Sequence, residues 1–157
     1  PIRCVDLPMS NISRGKQHQD LLSAHGHKSA SAICYEVVYP DLVADNAIGA
    51  SLILTISNDA WFGDSLALPQ HLQMAQMRSI ELSKPIIRAT NNGLSAIIDH
   101  KGRITSQHDP FISTELSGSI RHMTGQTPFA KFGSIPCIAF CSIVVMFLVF
   151  LKLRENF

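Results

Sequence analysis

The chain has 157 residues, with 13 Lys plus Arg against 12 Asp plus Glu and a formal charge of +1. A hydrophobic share of 46% with only 16% charged residues falls well short of the roughly 25% charged usual for soluble domains, so disorder is excluded and much apolar surface must be packed away or in lipid. The length fits a single domain, and near-neutral charge without a Lys/Arg run argues against a nucleic-acid binder, whose affinity comes from neutralising phosphates.

In chain order, residues 1–10 (PIRCVDLPMS) lack a basic stretch followed by an apolar one, so no secretory leader is visible and the start reads as internal to a longer chain. Residues 8–26 are polar and punctuated by Ser, Asn and Gly, which predicts a surface connection. Residues 30–38 (ASAICYEVV) form a short apolar run of strand length, and Pro40 and Asp41 then turn it into a short helix through Leu42 and Val43. A second strand, residues 51–56 (SLILTI), is apolar almost throughout, as expected where both faces of an α/β sheet are covered, and residues 57–63 (SNDAWFG) break it.

Residues 68–83 predict a helix with Pro69 near its start, Pro85 just past its end, and Leu72, Ala75, Ser79 and Leu82 on one packed side. Strands at 86–90 and 94–98 follow, joined by Asn91, Asn92 and Gly93. A turn at 99–102 leads to a short strand at 103–106, so hairpins are expected at one edge of a mixed sheet. One more strand is predicted within 112–124, and no internal repeat is visible.

Residues 132–151 (FGSIPCIAFCSIVVMFLVFL) then run for 20 residues without a charge, between Lys131 and the pair Lys152 and Arg154. At about 1.5 Å per residue this spans a hydrocarbon core of roughly 30 Å, and it lacks the polar face of a buried core helix. Residues 1–130 are thus expected to form the globular part, 131–153 a transmembrane helix and 154–157 a short tail. Arg121 and Lys131 on one side balance Lys152 and Arg154 on the other, so charge alone does not orient the helix.

Cysteines at 4, 34, 137 and 141 include no CxxC pair and are too scattered for a disulfide framework. Cys137 and Cys141 share one face of the apolar helix, where packing is their expected role. The seven histidines show no ligand spacing, so no metal is expected.

Cys34 is the candidate nucleophile, because α/β folds expose reactive groups at the carboxyl ends of strands; the alternative is a small buried thiol. Glu36 falls on the same face of an extended strand and either relays a proton or is a solvated carboxylate. Trp61 and Phe62 either dip into a membrane interface or pack beneath their loop, and Asn58 either orients the neighbourhood of the cysteine or caps its own turn.

Cys34-Tyr35-Glu36, then residues 57–63 (SNDAWFG), Gln70-His71 on a helix and residues 88–93 (RATNNG) occur in the order found in one family. The chain resembles the apolipoprotein N-acyltransferases, membrane members of the nitrilase or carbon-nitrogen hydrolase superfamily. Asp6-Leu7-Pro8-Met9-Ser10 and Ser13-Arg14-Gly15 also resemble that family's approach to its nucleophile strand; Cys4 matches nothing in it.

The resemblance implies an α/β fold, the C-terminal part of a four-layer α-β-β-α sandwich facing the periplasm, followed by one transmembrane helix returning to the cytoplasm of a bacterial inner membrane. The parent protein would be multi-pass. The implied activity is transfer of an acyl chain from a phospholipid, through a thioester on Cys34, to the α-amine of a diacylglyceryl-cysteine at a lipoprotein N-terminus, without a cofactor. Glu36 matches an acid of the family that supports the site; Tyr35 and Asn58 are expected to support it as well, and Trp61 and Phe62 to form a lipid-entrance loop. The superfamily's Glu base and oxyanion-stabilising Lys lie further upstream than this chain reaches, and neither Lys16 nor Lys28 has the surrounding motif. The chain is therefore expected to be inactive without the missing N-terminal part of the same protein. Two other readings are a nitrilase-like hydrolase of C–N bonds and a non-catalytic, membrane-anchored module.

Overall fold

The computed structural model describes residue 16 and residues 18–155. The readings of the first ten residues, of Cys4 and of the motifs within 6–15 lie outside the described residues, as does the end of the tail at 156–157.

Six strands make one sheet in sequence order: β1 (Leu22–Ala24), β2 (His27–Ile33), β3 (Leu52–Asn58), β4 (Ile86–Asn91), β5 (Ala96–Ile98) and β6 (Ile104–Gln107). The three central strands β2, β3 and β4 are parallel, whereas β1 pairs antiparallel with β2, and β5 and β6 continue antiparallel from β4. Parallel neighbours require crossovers. These are α1 (Pro40–Asn46) between β2 and β3, and α2 (Ala67–Leu82) between β3 and β4.

The period of two sorts the strand residues. Ala30 and Ala32 of β2, Ile53 of β3 and Ile86 of β4 are buried in one core with Val43 and Ala44 of α1 and Leu68, Leu72, Ala75 and Leu82 of α2. Leu72, Ala75, Ser79 and Leu82, the expected packed side of α2, are all buried. That helix ends at Ser83, whose left-handed φ of 50° closes it.

The other sheet face carries Ile33 and Ile56, paired across β2 and β3 and 64% and 62% exposed. On that second face of β3 Leu52 is buried and Leu54 half-buried while Ile56 is open, so among the described residues, which supply one sheet and one helical layer, both faces are covered only at the start of the strand. The expected first strand also divides: it begins at His27 and stops at Ile33, and the residues of the predicted strand end, Cys34–Val38, wind into a 3₁₀ turn. The polar connection at 8–26 contains the edge strand β1, all three of whose residues are exposed.

No strand forms between 112 and 124. The segment meets the sheet at single points instead. Met123 N donates to Ser51 O at 3.1 Å, and Gly118 lies where a Cβ would come within 2.6 Å of Ile97. A chain with Gly at its closest approach and no ladder partner stays irregular.

The apolar tail divides into α3 (Pro128–Phe132) and α4 (Ile135–Glu155), separated by Gly133 at φ 58°. Residues 135–154 of α4 are long and apolar enough to cross a membrane, and none of them is buried against the other described residues. Pro136 is tolerated in the first turn, where its missing N–H has no helical partner to lose.

Candidate active site

Because β2, β3 and β4 run parallel, their carboxyl ends lie side by side. In register, Ile33 pairs with Ile56, and Asn58 with Asn91. Cys34, the turn after Asn58 and the Asn91–Gly93 turn therefore share one edge of the sheet, where α/β folds place ligands.

Cys34 is the first residue after β2, half-buried, with a free thiol and a left-handed φ of 52°. For a residue with a Cβ this backbone is strained by about 1–3 kcal/mol, which surrounding bonds must offset. Two side chains supply them. Glu36 Oε2 accepts from Ile33 N at 2.7 Å, tying the turn back to the strand end. Arg78, from α2, donates to Val38 O at 3.2 Å at the turn's far end and is itself paired with Glu81 at 2.6 Å. Glu36 thus lies in the turn, not on a strand face with Cys34 as expected, and its carboxylate holds the elbow's shape. Tyr35 is exposed, with its ring edge-on to Tyr39 and 6.4 Å from the ring of His71.

Behind this turn is a buried polar cluster. Asp59 and Arg88 are each 1% exposed and pair at 2.8 Å between Oδ2 and Nη2. Asp59 Oδ1 also accepts from Ser57 Oγ at 2.5 Å and lies 3.1 Å from His71 Nδ1. Arg88 Nη2 is 3.1 Å from that same Nδ1, and Arg88 Nε donates to Leu94 O at 3.3 Å. A proton on Nδ1 of His71 makes it a donor to Asp59, while an unprotonated Nδ1 accepts from Arg88. Arg88 Nη1 and His71 Nε2 are buried without a partner.

Burial pushes the Asp59 carboxyl up, but hydrogen bonds from His71 and Ser57 and the charge of Arg88 outweigh it and hold the group below the ordinary carboxylate range. Burial pulls Arg88 down from its usual value, against the opposing pull of Asp59.

Gly93 permits the assembly: a Cβ there would lie 2.7 Å from Asp59 Cβ, inside van der Waals contact. Asn58 resolves as a cap, its Oδ1 accepting from Ala60 N at 3.2 Å. The two aromatic side chains of the Asp59–Phe62 turn separate: Phe62 packs against the core, edge-on to His71 at 5.9 Å, and Trp61 is 89% exposed. Among the described residues, no three His, Cys, Asp or Glu side chains come together as a metal site.

Sequence reasoning missed Asp59, His71, Arg78 and Arg88 as functional groups, although three of them stand in the quoted motifs. A signal was present: Thr55, Ser57 and Asp59 continue the buried face of Ile53, and Arg88 continues that of Ile86. Polar residues at core-facing positions imply partners across the core.

A central parallel sheet with an antiparallel edge, helices on one face and a cysteine on the tight turn after a parallel strand define an α/β protein of the nitrilase type. Nit3 of Saccharomyces cerevisiae, a member of branch 10 of the nitrilase superfamily, superposes with a TM-score of 0.54 at 19% identity, over 63% of this chain and 39% of that one. A carbon-nitrogen hydrolase from Helicobacter pylori superposes at 0.53 and 14% identity, over 62% and 41%. The chain belongs to the carbon-nitrogen hydrolase family, whose model matches residues 6–129.

Within that family it is similar to curated apolipoprotein N-acyltransferases. The protein from Shewanella oneidensis is 48% identical over 90% of this chain, and that from Azotobacter vinelandii 50% identical over 86%. The chain spans only 27% and 26% of the length of these two relatives.

Proposed function

We propose that this chain is part of an apolipoprotein N-acyltransferase. In this reading Cys34 accepts an acyl chain from a membrane phospholipid and passes it to the α-amine of a lipoprotein's N-terminal diacylglyceryl-cysteine. The observation that carries it is Cys34 itself: a half-buried thiol held at φ 52° on the carboxyl edge of three parallel strands, in a chain 48% identical to a protein of that name.

The thiolate attacks the ester carbonyl, and the tetrahedral oxyanion collapses to a thioester as the lysophospholipid leaves with a proton on its alkoxide oxygen. The acceptor amine then attacks the thioester, loses a proton and releases the thiolate. Dividing acyl transfer in this way gives ping-pong kinetics. Glu36 supports by holding the turn, Tyr35 lines it, and Asn58 shapes the neighbouring turn. Trp61 and Phe62 form the lipid-entrance loop, with Trp61 free to enter the interface, a depth that suits its amphipathic ring. The general base and the oxyanion-stabilising lysine of the superfamily are assigned to no residue of this chain, so by itself it is expected to form no adduct.

In this reading α4 crosses a bacterial inner membrane, within a multi-pass parent, and leaves the catalytic domain in the periplasm. A hydrolase that passes the acyl group to water is the second reading, favoured by the solved carbon-nitrogen hydrolase of the same fold and disfavoured by α4.

The test is acylation of the full-length protein in phospholipid vesicles. A hydroxylamine-sensitive adduct should map to Cys34 and be absent from Cys34→Ala. An adduct that persists in that variant overturns the assignment. Release of free fatty acid with no transfer to a diacylglyceryl peptide would favour the hydrolase.

A further inference from the structure

We propose that Asp41 is a positioning residue that ties the membrane helix to the cysteine turn, and so sets where Cys34 stands relative to the bilayer surface. Ser134 N and Ser134 Oγ both donate to Asp41 Oδ1, at 2.9 and 3.2 Å. Ser134 immediately precedes α4, so a carboxylate from α1 satisfies a donor at the amino end of a 21-residue helix across 93 positions of sequence. The first N–H groups of a helix have no partner within it, and the positive end of its dipole favours an anion.

The local sequence makes room for this bond. Gly133 turns the chain at φ 58°, and a Cβ there would run into Asp41 Oδ1. The preceding α3 is a fixed stump: Thr127 Oγ1 donates to Glu81 O at 2.5 Å and accepts from Ala130 N at 3.0 Å, while Phe129 and Ala130 pack against the core. With α3 held and Gly133 turning the chain, the Asp41 bond sets the direction in which α4 leaves.

The link back to Cys34 contains no loose segment. Tyr39 closes the 3₁₀ turn, its N–H donating to Glu36 O at 3.1 Å, and opens α1, its carbonyl accepting from Val43 N at 3.1 Å. Asp41 is the second residue of α1. The membrane helix, its carboxylate cap, α1 and the turn bearing Cys34 therefore form one chain of bonded elements.

The mechanical claim stands alone, whereas its kinetic consequence rests on the acyl-transfer reading, so the experiment has two arms. In the first, the full-length protein in lipid nanodiscs carries nitroxides on unnatural ketone side chains at positions 45 and 147, leaving the cysteines untouched, and electron–electron distances are measured. Wild type should give one narrow distribution, broadened by Asp41→Ala and by Gly133→Ala and kept by Asp41→Asn, whose amide oxygen still accepts. An unchanged distribution in Asp41→Ala overturns the proposal.

In the second arm, Cys34 acylation is timed with phosphatidylethanolamine–phosphatidylglycerol vesicles and with soluble p-nitrophenyl butyrate. Since an ångström-scale misplacement of reacting groups is costly, Asp41→Ala should slow the vesicle reaction about tenfold or more and spare the soluble one. Equal loss with both donors means a general folding defect and overturns the positioning role. If wild type is acylated by neither, the acyl-transfer reading fails and the distance distribution alone decides the mechanical claim.

Discussion

Asp59 and Arg88 meet at 2.8 Å with neither side chain reached by solvent, one from the turn after β3 and the other from the middle of β4. Removing one partner of such a pair leaves a buried charge uncompensated, so Arg88→Met should lower stability by about 3–5 kcal/mol. Asp59→Asn in the same molecule should recover part of that loss. Thermal unfolding in detergent reads both variants, and an Arg88→Met protein as stable as wild type would contradict the burial of the pair.

The same pair sets an acid limit. A carboxyl held below its ordinary value of 3.8 contributes stability that is present above that value and lost as pH falls through the lower, folded value. Unfolding midpoints should therefore drop in strongly acidic buffer, below about pH 4, and Asp59→Asn should flatten that part of the profile while lowering stability at neutral pH. A profile unchanged by the substitution would mean that other carboxylates govern it.

Much of the scaffold was legible because its cues are local. The first part of the apolar run at 30–38 and the runs at 51–56 and 86–90 lie in the parallel strands, and Asn91–Gly93 gave the hairpin. The break at Cys34 was hidden: Val37 and Val38 look like strand residues, and a left-handed φ at a cysteine has no glycine to announce it. The exposed β1 has no buried face to create an alternating pattern, and the 112–124 segment has β-like alternation but no strand edge in register. At the site, the position of Cys34 could be read, while the partners of Asp59 required knowing which residues face each other across the core. Trp61 and Phe62, indistinguishable in sequence, were separated by packing.

That separation can be tested. Phe62 packs on the core and on His71, so Phe62→Ala should cost about 2–4 kcal/mol, the lower side of what is lost when a fully buried aromatic side chain is truncated. Trp61, almost fully exposed, should tolerate Trp61→Ser within about 0.5 kcal/mol. If it belongs to a lipid-entrance loop, the same substitution should still raise the vesicle concentration needed for half-maximal acylation of Cys34. A large fall in unfolding midpoint for Trp61→Ser would place that ring in the core instead.

Lys84 presents the opposite case to Asp59. It is 3% exposed, Nζ donates to Gly125 O at 3.3 Å, and no carboxylate is paired with it among the described residues. Burial therefore pulls its ammonium below the ordinary value of 10.5. Between the lowered folded value and 10.5 the unfolded chain binds more protons than the native one, so stability from this group rises with pH across that window and is least where Lys84 is fully charged. Replacing the ammonium by an isosteric apolar chain forfeits one hydrogen bond to a backbone carbonyl, yet removes a desolvation penalty of several kcal/mol, so Lys84→Met should be more stable by about 1 kcal/mol at neutral pH. The gain should shrink as the buffer is made alkaline, because wild type sheds the same penalty by deprotonating. A variant less stable than wild type at neutral pH would mean that the bond to Gly125, which holds the irregular 119–127 segment against the start of β4, outweighs the buried charge.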